Sequence, residues 1–204
     1  MIAILDYGLG NIKAFANIYK GLNIPFVIAK DRAALASADR IILPGVGAFD
    51  HAMVRLRESG LFEALEDAVI GKGKPVLGVC VGMQMLARSS EEGDQQGLGW
   101  IDAHVAKISF PEEAPRGLLP HMGWSTIQPR ADEPLLDGVD ENIGFYFLHS
   151  YHFICNDPAD VIAVADYATP FDCAVRRGNI HGVQFHPEKS HHNGIRLLTN
   201  FAEN

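Results

Sequence analysis

Four short, almost wholly apolar runs, at residues 2–5, 26–28, 40–43 and 76–79, recur along the first half of the chain. The stretches at 12–22, 48–57 and 61–70 between them carry apolar residues at helical spacing. A strand followed by a crossover helix and a second strand returns parallel within one sheet. Few polar residues interrupt the runs, as expected where helices cover both faces of a parallel sheet. Glycine or proline punctuates the strand ends at Gly8, Pro44-Gly45 and Gly78. The expectation is an α/β fold with a mostly parallel central sheet, whose ligand site lies at the carboxyl edge of the strands.

From Gly97 onward the texture changes to strand-like runs at 105–110, 144–151, 161–167, 174–176 and 180–185 with turn signals between them. They predict an antiparallel or mixed C-terminal extension, closed by a last helix at 194–202. Breakers at Gly93-Asp94 and within 111–120 mark loops, but none reads as an interdomain linker, and no internal repeat is visible. A chain of 204 residues, 48% of them hydrophobic, fills one substantial core, so residues 1–204 are expected to form a single domain.

A net charge of -8 argues against nucleic acid as a partner, because phosphate binding relies on clustered Lys and Arg. The apolar start has no basic leader region and meets Asp6, Gly8 and Gly10 at once, and no later apolar run is long enough to span a bilayer. A cytoplasmic location, away from membranes, is the expectation. Cys80, Cys155 and Cys173 are odd in number and show no CxxC spacing, while His181, His191 and His192 lack ligand spacing and are expected to be solvated. No metal is expected. There is no phosphate-binding loop ending in Gly-Lys-Ser/Thr, and residues 6–11 give only a partial dinucleotide fingerprint, so no cofactor is expected either.

The segment 76–86 is a buried strand running into an apolar helix with Cys80 at the junction, flanked by Gly78 and Gly82. This Gly-x-Cys-x-Gly pattern matches the nucleophile elbow G-x-S-x-G, with sulfur replacing oxygen. A sharp strand-to-helix turn pushes one side chain over the sheet edge, and glycines two residues away let the backbone pack that closely. The following amides favour thiolate over thiol, and the N–H of Val81 is the nearest oxyanion donor. The bland alternative is an inert core thiol, since buried free cysteine is common. Cys155 and Cys173 lack such a turn and read as structural.

A second element stands at 182–190, where an alternating strand ends in His186-Pro187-Glu188. Pro187 holds His186 extended, and residues two apart in extended backbone share a side. Glu188 is therefore placed to bond one ring nitrogen of His186, leaving the other for the thiol. Nucleophile, base and orienter are then present in the chain order Cys80, His186, Glu188. With nine histidines in the chain, His186 taken alone reads more simply as a hydrogen-bonded surface residue; the elbow changes that.

These two distant motifs resemble the class I glutamine amidotransferases, and within them the glutaminase subunits of imidazole glycerol phosphate synthase. That likeness extends to Asp6-Tyr7-Gly8-Leu9-Gly10-Asn11, Pro44-Gly45-Val46-Gly47, Pro120-His121-Met122-Gly123-Trp124 and the run from Phe145 to Tyr151, so it covers nearly the whole chain. The resemblance implies the three-layer, flavodoxin-like class I amidotransferase fold. It also implies an oxyanion hole from Val46, Gly47 and Val81, and a glutamine pocket lined by Gln84, His149 and Ser150. Trp124, Tyr146 and Lys189 are implied to face a partner, a barrel-type cyclase or synthase subunit in a heterodimer. The implied reaction is hydrolysis of L-glutamine to glutamate and ammonia, the ammonia passing to histidine biosynthesis.

Plainer roles exist: residues 44–47 as a simple turn, Trp124 and Tyr146 as core edge, Lys189 as a solvated charge. Ser125, where the likeness usually has Asn, and Lys189-Ser190-His191 resemble instead a paralogous group that supplies ammonia to a sugar-modifying synthase of surface polysaccharides. A non-catalytic binding module and a cysteine peptidase are the alternatives from other classes.

Overall fold

The computed structural model describes residues 1–110, 118–130, 132–167 and 169–204. Most of the loop expected at 111–120 lies outside the described residues. Five strands form the parallel part of an 11-stranded sheet: β1 (Ile2–Leu5), β2 (Phe26–Ala29), β3 (Arg40–Gly45), β4 (Val76–Cys80) and, from the far end of the chain, β13 (Ile180–Val183). The remaining strands are β5 (Ser89–Ser90), β6 (Ala103–Lys107), β7 (His121–Ser125), β8 (Ile127–Pro129), β9 (Phe145–His149), β10 (Tyr151–Cys155), β11 (Val161–Tyr167) and β12 (Thr169–Arg177). The main path runs β2-β1-β3-β4-β13-β12-β10-β6-β5, with β11 and β8 attached beside β12. The extension beyond β13 is mixed: antiparallel pairs dominate and β5 lies parallel to β6. A separate antiparallel pair, β7 with β9, sets Trp124 opposite Tyr146 and His121 opposite His149.

The helices are α1 (Ile12–Gly21), α2 (Arg32–Ser37), α3 (Phe49–Glu58), α4 (Phe62–Glu66), α5 (Val81–Gln84) and α6 (His191–Glu203). Their buried residues follow the helical period: Phe15 and Tyr19 in α1; Phe49, Ala52, Met53 and Leu56 in α3; Leu197, Leu198 and Phe201 in α6. All four residues of β1 and all five of β4 are buried, as a sheet covered on both faces requires.

Four local expectations are refined. Helix α2 was not foreseen; it is capped by Asp31, whose carboxylate accepts from the Ala34 N–H at 2.8 Å. The run at 144–151 divides at Ser150 into β9 and β10. Helix α6 begins at His191, ahead of the expected start. The helix after Cys80 is a single turn, because the carbonyls of Met85, Leu86 and Ala87 are taken by the N–H groups of Leu98, Ile101 and Gly99. A four-residue helix brings a few oriented amides to the sulfur rather than an extended dipole.

The topology decides where the chemistry sits. Strand β13 is parallel to β4, with Gly182 opposite Gly78 and Val183 opposite Val79. The residues that follow β13, Gln184 to Glu188, are thereby delivered beside Cys80 at the carboxyl end of β4.

Candidate active site

The elbow is built by steric necessity. Cys80 has φ +56° and ψ −114°, a region in which a residue with a side chain is strained. A Cβ on Gly82 would lie 2.0 Å from the Leu43 carbonyl oxygen, and one on Gly78 would lie 2.6 Å from the Gly82 carbonyl oxygen. A Cβ on Gly45 would meet the Gly82 nitrogen at 2.2 Å, so the Pro44-to-Gly47 turn packs directly on the elbow.

Cys80 is 4% exposed, and three groups approach its sulfur. The Leu148 carbonyl lies at 3.9 Å, the Gln184 side-chain amide at 3.8 Å, and the His186 ring stands on the same cavity, close enough to couple to the sulfur. On the other side of the ring, His186 Nδ1 is 2.9 Å from Glu188 Oε1, both side chains being almost completely buried. Burial alone would keep the imidazole neutral. The hydrogen bonds to Cys80 and Glu188, and their charges, override it and push the His186 pKa up to about 10.

The turn that carries the imidazole is fastened to β9. The His186 N–H donates to the Tyr146 carbonyl at 2.9 Å, the Ser190 hydroxyl donates to the His186 carbonyl at 2.6 Å, and the Tyr146 N–H donates to Ser190 Oγ at 2.9 Å. Pro187 opens a single turn of 3-10 helix, so Glu188 returns to its neighbour's ring.

A cavity of about 300 Å³ opens over the sulfur. Val46, Gly47 and Val81 line it, with Gly47 at φ +85° and no atom within 4 Å of where its Cβ would be. Tyr7 braces the root of this turn: its hydroxyl donates to the Pro44 carbonyl at 2.7 Å, and burial pushes its own pKa up. Gln84, His149 and Ser150 line the same cavity. His149 Nδ1 lies 2.8 Å from the Tyr151 carbonyl and therefore carries the hydrogen, so Nε2 accepts from His121 Nδ1 at 3.0 Å. His121 Nε2 in turn accepts from the Ser125 hydroxyl at 2.9 Å. Burial lowers the pKa of both rings, His121 to about 4 and His149 to about 3, so both are neutral links.

A cysteine on a strained turn, an acid-backed imidazole and a lined cavity are the parts of an acyl-transfer site. Residues 4–204 match the family model described as glutamine amidotransferase class-I. The chain belongs to the class I glutamine amidotransferases. It is 52% identical over 202 residues to the imidazole glycerol phosphate synthase subunit HisH of Leptospira borgpetersenii, with 99% of each chain covered. To the protein of the same name from Bdellovibrio bacteriovorus it is 53% identical over 203 residues, covering all of both. Among solved structures, one described as a glutamine amidotransferase superposes with a TM-score of 0.73 at 20% identity, covering 99% of this chain and 97% of that one. The fold is that of the family.

In this amidotransferase the residues named from the sequence fall into two groups. Cys80, His186, Val46, Gly47, Val81, Gln84, His149 and Ser150 all reach the cavity, and Glu188 sits behind His186. Trp124 and Tyr146 stand outside it on the β7–β9 pair, Trp124 being 45% exposed and stacked on His191. Lys189 does both, lining the cavity and holding its ammonium 5.6 Å over the Tyr146 ring.

Glu92, which also lines the cavity, was not foreseen. It follows a two-residue strand and accepts from the Phe49 N–H at 2.8 Å, a long-range cap with no local signature. His181 was expected to be solvated. Its ring is half-buried instead, and burial, followed by the Arg176 charge, lowers its pKa, because it stands inside β13. His191 and His192 are exposed as expected. Cys173 is wholly buried in β12 and Cys155 half-buried in β10, and burial pushes both thiols up. Among the described residues no group of three or more His, Cys, Asp or Glu is placed to hold a metal ion, and no helix is long and apolar enough to cross a membrane.

Proposed function

We propose that this chain is the glutaminase subunit of an imidazole glycerol phosphate synthase, and that residues 1–204 act as one amidotransferase domain in the cytoplasm. The single observation that carries the chemistry is the Glu188–His186 pair, bonded at 2.9 Å, with its imidazole on the same cavity as the sulfur of Cys80. Identity above 50% over the full length to two proteins named HisH supports the choice of partner.

Cys80 gives its proton to His186, and the thiolate attacks the side-chain amide carbon of glutamine. The tetrahedral oxyanion is held by backbone N–H groups of the turn at Val46-Gly47 and of Val81. Imidazolium His186, steadied by Glu188, returns the proton to the departing nitrogen, and ammonia leaves. Water activated by the same imidazole then attacks the thioester, releasing glutamate and restoring the thiol. The amino-acid end of the substrate lies among Gln84, His149 and Ser150. Glu92, the one carboxylate among the described residues lining the cavity, takes its ammonium group.

Ammonia that escapes into neutral water becomes ammonium, which is no nucleophile, so the site needs a partner to seal it and receive the product. The exposed Trp124, with Tyr146 and Lys189 beside the cavity, forms the docking face for a barrel-type cyclase subunit in a heterodimer. Docking turns the Val46 peptide so that its N–H enters the oxyanion hole; the open space at Gly47 supports that motion. The test is glutamate release with and without the candidate synthase. Stimulation by the synthase is expected, and equal rates would contradict the gating. A second reading, a sugar-modifying synthase as the acceptor, is favoured by Ser125 and is separated from the first by which synthase co-purifies and stimulates the glutaminase.

A further inference from the structure

Gln184 is completely buried, and its amide points at the nucleophile: Nε2 lies 3.8 Å from Cys80 Sγ. It is not among the residues lining the cavity, so it stands behind the sulfur and out of reach of substrate. A buried side-chain amide that spends a donor on a sulfur needs its own orientation fixed, because a turned amide would present oxygen instead.

The neighbouring groups fix it. The Tyr151 carbonyl only accepts, so the end of the Gln84 amide 3.1 Å from it must be the nitrogen. The same nitrogen lies 3.1 Å from the Gln184 side chain, which must therefore present its oxygen there. Once Oε1 faces Gln84, the NH₂ of Gln184 is left facing the sulfur. The backbone adds to the constraint, since the Gln184 N–H donates to the Cys173 carbonyl at 2.8 Å.

We propose that Gln184 is a further catalytic residue of the glutaminase, a fixed hydrogen-bond donor that holds the Cys80 sulfur in its thiolate form. The inference rests on Cys80 being the nucleophile. A neutral donor discriminates between the states of the sulfur: it is bonded more strongly by the thiolate than by the thiol or the thioester. It therefore favours proton transfer from Cys80 to His186 before attack, and favours sulfur as leaving group when water opens the thioester. Its geometry need not change between these steps. Because Gln84 lines the cavity and anchors Gln184, the relay Tyr151–Gln84–Gln184–Cys80 also ties the substrate wall to the nucleophile through direct hydrogen bonds.

The test compares the wild type with Gln184→Met, which keeps length and volume but lacks the donor. The rate of Cys80 carboxamidomethylation by iodoacetamide is followed against pH, together with kcat and KM for glutamine in the full complex. The expected result is an alkylation profile displaced to higher pH, with kcat lowered about ten-fold, the size of one hydrogen bond to a charged group, and KM nearly unchanged. An unmoved alkylation profile, or a loss confined to KM, would overturn the proposal. If Gln184→Met does not fold, the side-chain amide protons of Gln184 are followed in the wild type by NMR. They should shift when Cys80 alone is alkylated, and no shift would likewise overturn it. Persisting glutamine hydrolysis in Cys80→Ala would refute the nucleophile assignment itself, an outcome separable from either of these.

Discussion

Val79 and Val183 are register partners on adjacent parallel strands, although more than one hundred positions apart in sequence. That pairing brings Cys80, one residue beyond Val79, beside the His186-Pro187-Glu188 turn that follows Val183. The strain at Cys80 and the close packing of Gly45, Gly78 and Gly82 serve the same end, a sulfur held over the sheet edge where an imidazole already stands.

Cys80 and the acid behind the imidazole together set the alkaline limit of activity against burial, which lowers it. His186 is raised to about 10, so glutaminase should persist as pH rises toward 10 and fall once the imidazolium is lost. Glu188→Gln removes a charge and weakens the acceptor, which lowers that limit and reduces kcat by about a hundred-fold or more. The pH profile of glutamate release checks both; a limb that does not move assigns Glu188 no role in holding the proton.

Gly82→Ala forces a Cβ to within 2.0 Å of the Leu43 carbonyl oxygen, where only backbone can give way. The expected cost is about 3 kcal/mol or more, at the upper end for an overpacked core, with loss of activity. Gly21→Ala, with no atom within 4 Å of the new Cβ, should change stability by no more than about 1 kcal/mol, in the favourable direction. Denaturant midpoints of the two variants decide it.

His121 and His149 make the fold sensitive to acid. Their folded pKa values lie below the ordinary 6.5, so the unfolded chain binds more protons and unfolding gains as pH falls. This contribution is fully present above about 6.5 and is lost progressively down to about 4 for His121 and about 3 for His149. His121→Phe keeps a ring beside Phe147 and Tyr167 and removes one proton-binding group. Its Tm should decline less steeply than wild type between pH 6.5 and 4; equal slopes would refute the linkage.

Trp124→Ala tests the docking face. The indole is 45% exposed on β7 and does not line the cavity. Its removal should weaken assembly with the synthase and diminish stimulation while leaving unstimulated hydrolysis near wild type. Unchanged affinity by titration would place the partner elsewhere.

The parallel half of the fold was legible because residues 2–5, 41–43 and 76–79 are buried on both faces and so carry an uninterrupted apolar signal. Cys80, His186 and Glu188 were legible because each stands in a motif whose backbone geometry is local: a glycine-flanked turn, and a His-Pro-Glu run that brings acid to ring, through a 3-10 turn at 187–189 rather than the extended backbone expected. What escaped depends on contacts distant in sequence. Glu92 meets the cavity by capping α3, 43 positions away, and Gln184 finds the sulfur across 104. The length of α5 was illegible for the same reason, since the segment that stops it lies at 98–101. His181 was misjudged because the alternating strand signal at 180–185 gives no sign that this strand is central in the sheet.

The most direct measurement is covalent trapping with a diazoketone analogue of glutamine, read by intact mass and peptide mapping. Three thiols compete, Cys80, Cys155 and Cys173, all partly or wholly buried. One adduct per chain is expected, carried by the peptide containing Cys80 and absent from Glu188→Gln on the same timescale. An adduct on Cys155 or Cys173, or a Cys80 left unmodified while glutamine is still hydrolysed, would contradict the nucleophile assignment.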